Sequence, residues 1–149
     1  MSSTPADSRP RVAASAIKME GAPRTAPLSP HLSIWGWTPV NLTSILHRAT
    51  GIANAAGFTL LTAWLASAAI GEGAYDAVTG FLGSPFGLLI LFGFTVSVMY
   101  HLTNGIRHLI WDSGRLLGRG QRAASAYAVY GIAVLLTALL WGFALMGGN

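Results

Sequence analysis

Three long stretches of this chain contain no Asp, Glu, Lys or Arg, and each is longer than a lipid bilayer requires. They run over residues 49–70, 77–106 and 123–149. About 20 apolar residues in an α-helix cross the hydrocarbon layer. Lipid offers no partner to a free backbone group, and these stretches lack the alternation of barrel strands, so they predict helices. The sequence therefore predicts an all-α integral membrane protein with three transmembrane helices, at about residues 43–70, 81–110 and 123–147.

The composition supports this class. Of 149 residues, 52% are hydrophobic and 9% are charged, whereas soluble domains carry about 25% charged residues. The chain has no cysteine, which excludes disulfides and thiolate-bound metals or clusters within it. Three helices alone cannot bury a wide core, so residues 31–149 are expected to form an anchor domain within a larger helical bundle that includes a membrane partner. Residues 1–30 are rich in Pro, Ala and Ser and predict a flexible tail.

The basic residues lie on one side of the predicted membrane. Five of the nine Lys and Arg residues come before or at the start of the first span, and the other four surround the connection between the second and third spans. The connection between the first and second spans carries Glu72 and Asp76 and no basic residue. The positive-inside rule then places the N-terminus on the cytoplasmic or matrix side. Because topology and anionic lipid headgroups account for the positive charge, no nucleic-acid partner is expected.

A stripe of polar and small residues follows the second apolar stretch. It consists of Gly93, Ser97, His101, Gly105 and His108. Steps of three and four residues place all of them on one helix face. His101 precedes Asp112 by eleven residues, which is roughly 16 Å along a helix. An ionisable group at this depth indicates a functional residue, and the alternative is a neutral imidazole that hydrogen-bonds across helices.

The neighbours of His101 favour a cofactor. A porphyrin packed against a helix needs small residues beside its ligand, and Ser97 and Gly105 lie one turn to either side. Histidine is a common axial ligand of haem iron. His108 lies about 10 Å further along the same face and cannot bind the same iron. His47 is expected at the inner mouth of the first span, so a second ligand is expected from a partner subunit.

Donor groups collect at the mouth of the first span, in the sequence NLTSILHRATG. Ser44 and Arg48 lie one helical turn apart and can converge on one small polar group, such as the carbonyl of a quinone. His47, Arg48, Arg107 and His108 are expected to gather at one inner level, where the anionic propionates of a haem would suit them. The alternative for Arg48 is a simple anchor of the helix end.

Aromatic residues precede this mouth, and the third apolar stretch differs from the other two. Trp35 and Trp37 fit an interfacial aromatic belt, with stacking on a quinone ring as the functional alternative. The third stretch offers no ionisable group in GIAVLLTALLWGFAL and is predicted to be structural. No paired carboxylates, phosphate-binding glycine loop or HExxH zinc motif occurs in the chain.

The segments PLSPHLSIWGW, SILHRATG and HLTNGIRHLIWDSG together resemble the cytochrome b subunits of succinate dehydrogenase, the larger membrane anchors of respiratory complex II. The likeness covers residues 27–114 in motif form. The motifs S-x-x-H-R-x-T-G and H-x-x-x-G-I-R-H-x-x-x-D, in this order, are specific. The resemblance implies that His101 is an axial ligand of haem b and that the smaller anchor subunit supplies the second ligand.

The resemblance also implies roles for the residues of the first motif. Ser44 and Arg48 would help to form the ubiquinone site, which Ile45 and Trp37 would line. His47 and His108, together with the same arginine, would lie near the haem propionates. Ubiquinone would be a substrate of the assembled complex.

A membrane anchor of this family implies further subunits and a location. Electrons from succinate would reach ubiquinone through a flavoprotein and an iron–sulfur subunit docked on the inner face, and this chain alone is not expected to oxidise succinate. The expected location is the bacterial inner membrane, with the mitochondrial inner membrane as the alternative. Two other functions stay open: the same architecture working as a fumarate reductase, or a small transporter or channel subunit in which His101, Asn104 and His108 line a path.

Overall fold

Four α-helices make up the regular structure of residues 36–147, which are the residues that the computed structural model describes. The expected flexible tail of residues 1–30, and also His31 and Trp35, lie outside this range. The helices are α1 (Pro39–Ile70), α2 (Glu72–Gly83), α3 (Pro85–Asp112) and α4 (Arg119–Gly147). Of these, α1, α3 and α4 are long and apolar enough to cross a membrane. The prediction of an all-α protein with three transmembrane helices is confirmed.

Proline and a capping hydroxyl define the start of two long helices. The Thr38 side chain accepts a hydrogen bond of 3.1 Å from the backbone N–H of Asn41, and Pro39 occupies the first helical position of α1. Such a cap satisfies an N–H that has no partner within the helix, and proline has no N–H to lose. The Ser84 hydroxyl and Pro85 repeat the arrangement at the start of α3.

The short helix α2 is a feature that hydropathy does not predict. Gly71, with φ +142°, separates it from α1, and such a backbone conformation favours glycine. Ser84 separates it from α3, so the break falls inside the expected second span of residues 81–110. A Cβ at Gly87 would clash with the backbone of Phe81 and Leu82. A glycine there lets α3 begin close against the end of α2.

Contacts between α1 and α3 fix the register of an antiparallel pair. As residue numbers rise along α1 they fall along α3, in the contacts Thr43–Arg107, Thr50–His101, Asn54–Ser97 and Gly57–Phe94. A Cβ built on Gly57 would overlap the Phe94 ring. Small residues in membrane helices permit this close approach.

Two tyrosines tie α3 and α4 to the beginning of α1. The rings of Tyr100 and Tyr130 stack with centroids 5.9 Å apart. The Tyr100 hydroxyl donates to the carbonyl oxygen of Thr43, and the Tyr130 hydroxyl donates to that of Pro39, both at 3.1 Å. With Val129 and Ala133 on α4, they form a small core between the three long helices.

Candidate haem and quinone site

Three histidines from two helices form one cluster. The rings of His47 on α1 and His101 on α3 stack with centroids 3.9 Å apart and an interplanar angle of 14°. His47 also lies 5.2 Å from the His108 ring, tilted by 46°. His47 lies near the start of α1, where the mouth of the first span was expected, and its ring reaches the level of His101. The register between α1 and α3 decides that level, and the spacing of residues within one helix does not reveal it.

The stacked geometry bears on how the histidines can bind a metal. Two axial ligands approach an iron from opposite sides, each with a ring nitrogen directed at it. The His47 and His101 rings lie face to face, so their nitrogens do not oppose each other in this arrangement. Within residues 36–147, no group of three or more His, Cys, Asp or Glu residues could hold a metal ion.

A threonine of α1 holds the His101 ring. The hydroxyl oxygen of Thr50 lies 3.1 Å from His101 Nδ1. The ring packs beside the neighbouring Gly51, where a Cβ would lie 3.4 Å from His101 Cε1, an ordinary contact distance. No described residue forms a hydrogen bond with His101 Nε2. The ring is thus fixed at one nitrogen and available at the other.

The small residues beside His101 divide into two kinds. Ser97 is buried, and its hydroxyl donates to Asn54 Oδ1 at 2.7 Å and to the carbonyl oxygen of Thr50 at 3.1 Å. It therefore serves the contact between α1 and α3, which differs from its expected place beside a porphyrin. Gly93 and Gly105 face open space, since a Cβ on either would meet no atom within 4 Å. Of the two residues expected to flank a porphyrin, Gly105 has free space beside it.

Arg107 is buried in the interior of the three long helices, with 3% of its surface exposed. Its Nη1 donates to Thr43 Oγ1 at 2.9 Å and to Asn104 Oδ1 at 3.2 Å. Its Nε donates to Ser125 Oγ at 2.9 Å, and its Nη2 to the carbonyl oxygen of Arg122 at 3.1 Å. The guanidinium thus joins α1, α3 and α4. Its donors are bound to polar groups of all three helices inside the bundle, so it differs from an arginine whose donors stay free for a haem propionate.

Arg107 still connects to the histidine cluster through its neighbours. Asn104 is fully buried, and its Nδ2 lies 3.3 Å from His108 Nε2. The Trp111 ring lies under the guanidinium, 3.9 Å from its central carbon, and contacts the His108 ring edge-on at 5.4 Å. The buried cation therefore helps to fix the side chain of His108.

The expected quinone-site residues form an outward surface at the start of α1. Ser44 and Arg48 are exposed one turn apart, and neither forms a side-chain hydrogen bond with a residue of 36–147. Ile45 is 42% exposed and Trp37 is 74% exposed. Helices α3 and α4 of this chain leave the surface uncovered. A site built on it would need a second wall from outside the chain.

Thr50 is the functional candidate that sequence reasoning missed. Its signal was present, because it is the threonine of S-x-x-H-R-x-T-G. Its position directly before Gly51 and one turn before Asn54 on α1 gives no indication of the histidine that it meets on α3. The pairing needs the register between the helices.

Comparison with known proteins identifies the family. The model of the succinate dehydrogenase/fumarate reductase transmembrane subunit matches residues 22–140. The succinate dehydrogenase cytochrome b556 subunit of Paracoccus denitrificans is 38% identical over 113 residues, which are 76% of this chain and 87% of that protein. The mitochondrial cytochrome b560 subunit of Bos taurus is 40% identical over 114 residues, 73% of this chain and 66% of that protein. The corresponding b556 subunit of Rickettsia prowazekii is 38% identical over 116 residues, 77% of this chain and 90% of that protein. The resemblance carried by the sequence motifs is confirmed, and the chain belongs to the family of succinate dehydrogenase/fumarate reductase transmembrane subunits.

Proposed function

We propose that this chain is the haem b-binding membrane anchor of a succinate:quinone oxidoreductase and that it helps to form the site of ubiquinone reduction. The observation that carries the proposal is the state of His101, which is held through Nδ1 by Thr50 and has no described partner at Nε2. A ring nitrogen of neutral imidazole that is free while the other nitrogen is bound is the usual form of a metal ligand. The relatives are named as cytochromes b, and that name supports haem as the cofactor here.

The residues around His101 fit a haem b group. Gly105 leaves open space one turn from His101 on the same helix. His47 Nδ1 is buried and has no hydrogen-bond partner among the described residues, so it is available as a donor to a carboxylate. Arg48, next to His47 in sequence, and His108, whose ring lies 5.2 Å from that of His47, add donors that would suit anionic propionates. When bound, a haem b would supply a one-electron redox centre to the assembly.

The second iron ligand is proposed to come from another membrane subunit. His108 lies about 10 Å along α3 from His101, and the His47 ring is stacked on that of His101. Neither histidine is placed to hold the same iron together with His101. A smaller anchor subunit packed against the histidine cluster would complete the coordination and cover apolar side chains such as Ile52, which is 76% exposed.

Ser44 and Arg48 are proposed to bind the quinone. A hydroxyl and a guanidinium one turn apart donate to a carbonyl oxygen from two directions. Donation to that oxygen stabilises the negative charge that develops as the quinone is reduced. Ile45 and Trp37 would supply the apolar wall against the ring. The exposure of this surface agrees with a site that partner subunits complete.

The remaining parts of the assembly follow from the side on which the quinone binds. The start of α1 lies at the end that the positive-inside rule places toward the cytoplasm or matrix. The proposal places the iron–sulfur and flavoprotein subunits on that face, in the bacterial inner membrane or its mitochondrial counterpart. Succinate oxidation belongs to those subunits, and this chain supplies the membrane attachment and half of the haem site.

An absorption spectrum tests the haem assignment. The chain is co-produced with its partner subunits, purified through an affinity tag on the flavoprotein, and measured as a dithionite-reduced minus oxidised difference spectrum. The wild-type complex is expected to give a low-spin b-type spectrum that His101→Leu abolishes. His108→Leu is the matched control and is expected to keep the low-spin bands, because it removes a histidine of the same helix that does not bind the iron. A normal low-spin spectrum from His101→Leu would contradict the assignment.

A further inference from the structure

We infer that Thr50 is a positioning residue that fixes the tautomer and the orientation of His101 and thereby tunes the redox potential of the bound haem. The inference rests on the proposed role of His101 as an iron ligand. It adds a residue of α1 to a site whose iron ligand is on α3.

The argument begins with the hydrogen bonds of the Thr50 hydroxyl. Its oxygen lies 2.8 Å from the carbonyl oxygen of Leu46 and 3.1 Å from that of His47. A hydroxyl carries one proton, and carbonyl oxygens only accept. The proton of the hydroxyl is therefore directed at these backbone carbonyls, as is common for threonine within helices.

The direction of the remaining bond follows. The Thr50 oxygen is also 3.1 Å from His101 Nδ1. Because the contact to the Leu46 carbonyl oxygen is the shortest of the three, we assign the hydroxyl proton to it, so that the Thr50 oxygen accepts from His101 Nδ1–H. A neutral imidazole protonated at Nδ1 has its lone pair at Nε2. The hydrogen bonds of Thr50 thus select the tautomer that can bind iron through Nε2.

The surroundings of Thr50 hold it in this position. Its own carbonyl oxygen accepts a hydrogen bond of 3.1 Å from Ser97, whose hydroxyl also reaches Asn54 at 2.7 Å. These contacts tie the same turn of α1 to α3. The His101 ring also passes over Gly51 at van der Waals distance. Thr50 and His101 are therefore kept together by the helix contact itself, with His101 only partly buried.

The expected chemical effect has a definite sign. A hydrogen bond from Nδ1–H to an acceptor raises the basicity of the ligating nitrogen. A more basic ligand stabilises the ferric form more than the ferrous form. Loss of the Thr50 oxygen should therefore favour the reduced haem and raise its midpoint potential. The hydroxyl is a neutral acceptor, so the effect should be smaller than that of a carboxylate in the same place.

The test compares three variants of the complete complex by a redox titration of the haem absorption. Thr50→Val removes the hydroxyl while keeping the branched shape, and Thr50→Ser restores a hydroxyl. Thr62→Val is the matched control, because Thr62 is an exposed threonine of the same helix that bonds only a backbone carbonyl, that of Phe58 at 2.8 Å. At a fixed ambient potential, Thr50→Val should raise the ratio of reduced to oxidised haem about tenfold, which is about 59 mV for one electron. Thr50→Ser and Thr62→Val should change it less than twofold.

The outcomes separate this inference from the proposed function. If Thr50→Val titrates like Thr62→Val while His101→Leu loses the haem, the role of Thr50 is refuted and the ligand assignment stands. If His101→Leu keeps a normal low-spin spectrum, the ligand assignment of His101 and the role of Thr50 are both refuted. If Thr50→Val does not assemble, Thr50→Ala removes the same oxygen without adding an apolar branch. The difference in haem midpoint potential between Thr50→Ala and Thr50→Ser then tests the role of Thr50. Equal potentials in these two variants would refute it.

Discussion

The rings of His47 and His101 lie face to face across the contact between α1 and α3, with centroids 3.9 Å apart. This stack brings the S-x-x-H-R motif of the first long helix against the proposed iron ligand of the second. The two motifs that define the family in this sequence thus form one structural unit. Residues proposed for quinone binding and for haem binding therefore belong to the same pair of helices.

The first prediction concerns the free nitrogen of His47. His47→Phe keeps an aromatic ring for stacking and removes the donor proposed for a haem propionate. The haem should stay bound through His101, but the loss of a donor leaves the carboxylate less neutralised and stabilises the ferric form. The ratio of reduced to oxidised haem at fixed potential should fall about three- to tenfold, which corresponds to about 0.7–1.4 kcal/mol.

Redox titration of the purified complex measures this change, with Phe58→Leu as a control on the same helix. Phe58 is an exposed aromatic residue that contacts Phe94 at 5.5 Å, away from the histidine cluster. A rise in the midpoint potential of His47→Phe, or a value equal to that of the control, would contradict the proposed place of His47 beside a propionate.

The second prediction concerns the buried guanidinium of Arg107. Arg107→Leu removes the donors to the buried side-chain oxygens of Thr43 and Asn104 and to the half-buried hydroxyl of Ser125. Each buried oxygen that loses its donor costs about 1–3 kcal/mol, so the variant should be destabilised by about 2 kcal/mol or more. Arg107→Lys keeps the charge but cannot reproduce the planar set of donors, and it should be intermediate.

The measurement is the thermal unfolding of the detergent-solubilised complex together with the fraction of this chain that assembles. Arg115→Leu is the matched control, since Arg115 is an exposed arginine between α3 and α4. Surface substitutions usually change stability by less than about 0.5 kcal/mol. Equal behaviour of the Arg107 and Arg115 variants would show that the buried network contributes little.

Much of the fold could be predicted from sequence because its physical causes are local. Hydropathy and length identify the three long helices, and helical spacing places His101 within α3 on the same face as Gly105. The break between α2 and α3 at Ser84 and Pro85 is harder to predict, because the apolar run continues through it. Its signals are a capping hydroxyl and a proline, which act on the backbone and leave hydropathy unchanged.

The positions of His47, Thr50 and Arg107 could not be predicted in the same way. Each depends on the register or rotation of one helix against another, which is set by contacts such as Gly57 against Phe94. Helical spacing predicts the face of the helix on which a residue lies. It does not predict which other helix packs against that face. Arg107 looked like part of a cationic surface, whereas its hydrogen-bond partners lie on α1 and α4.

The third prediction tests the contact that sets this register. Gly57→Ala places a methyl group in the space of the Phe94 ring, so the ring must move or the helices must separate. Overpacking of this kind costs about 1–3 kcal/mol. Phe94→Leu combined with Gly57→Ala should recover part of the lost stability, because the smaller side chain makes room.

Thermal unfolding measures the stability of the single and the double variant. Gly131→Ala is the control, since a Cβ at Gly131 meets no atom within 4 Å. A Gly57→Ala variant as stable as the control would contradict the close helix contact.

The fourth prediction concerns the proposed quinone site. Ser44→Ala and Arg48→Leu should lower ubiquinone reduction by succinate, while succinate oxidation with an artificial soluble acceptor stays near wild type. A hydrogen bond to a charged or partly charged group contributes about 1.5–3 kcal/mol, which corresponds to about a 10- to 100-fold loss in kcat/KM for the quinone.

Arg119→Leu is the control, because it removes an exposed arginine at the start of α4 and should leave both activities unchanged. Both activities are measured on the same preparation, so that a loss of assembly lowers them together and a loss of quinone binding lowers one. A proportional loss of both activities in Ser44→Ala and Arg48→Leu would contradict a role in quinone binding and assign these residues to subunit assembly.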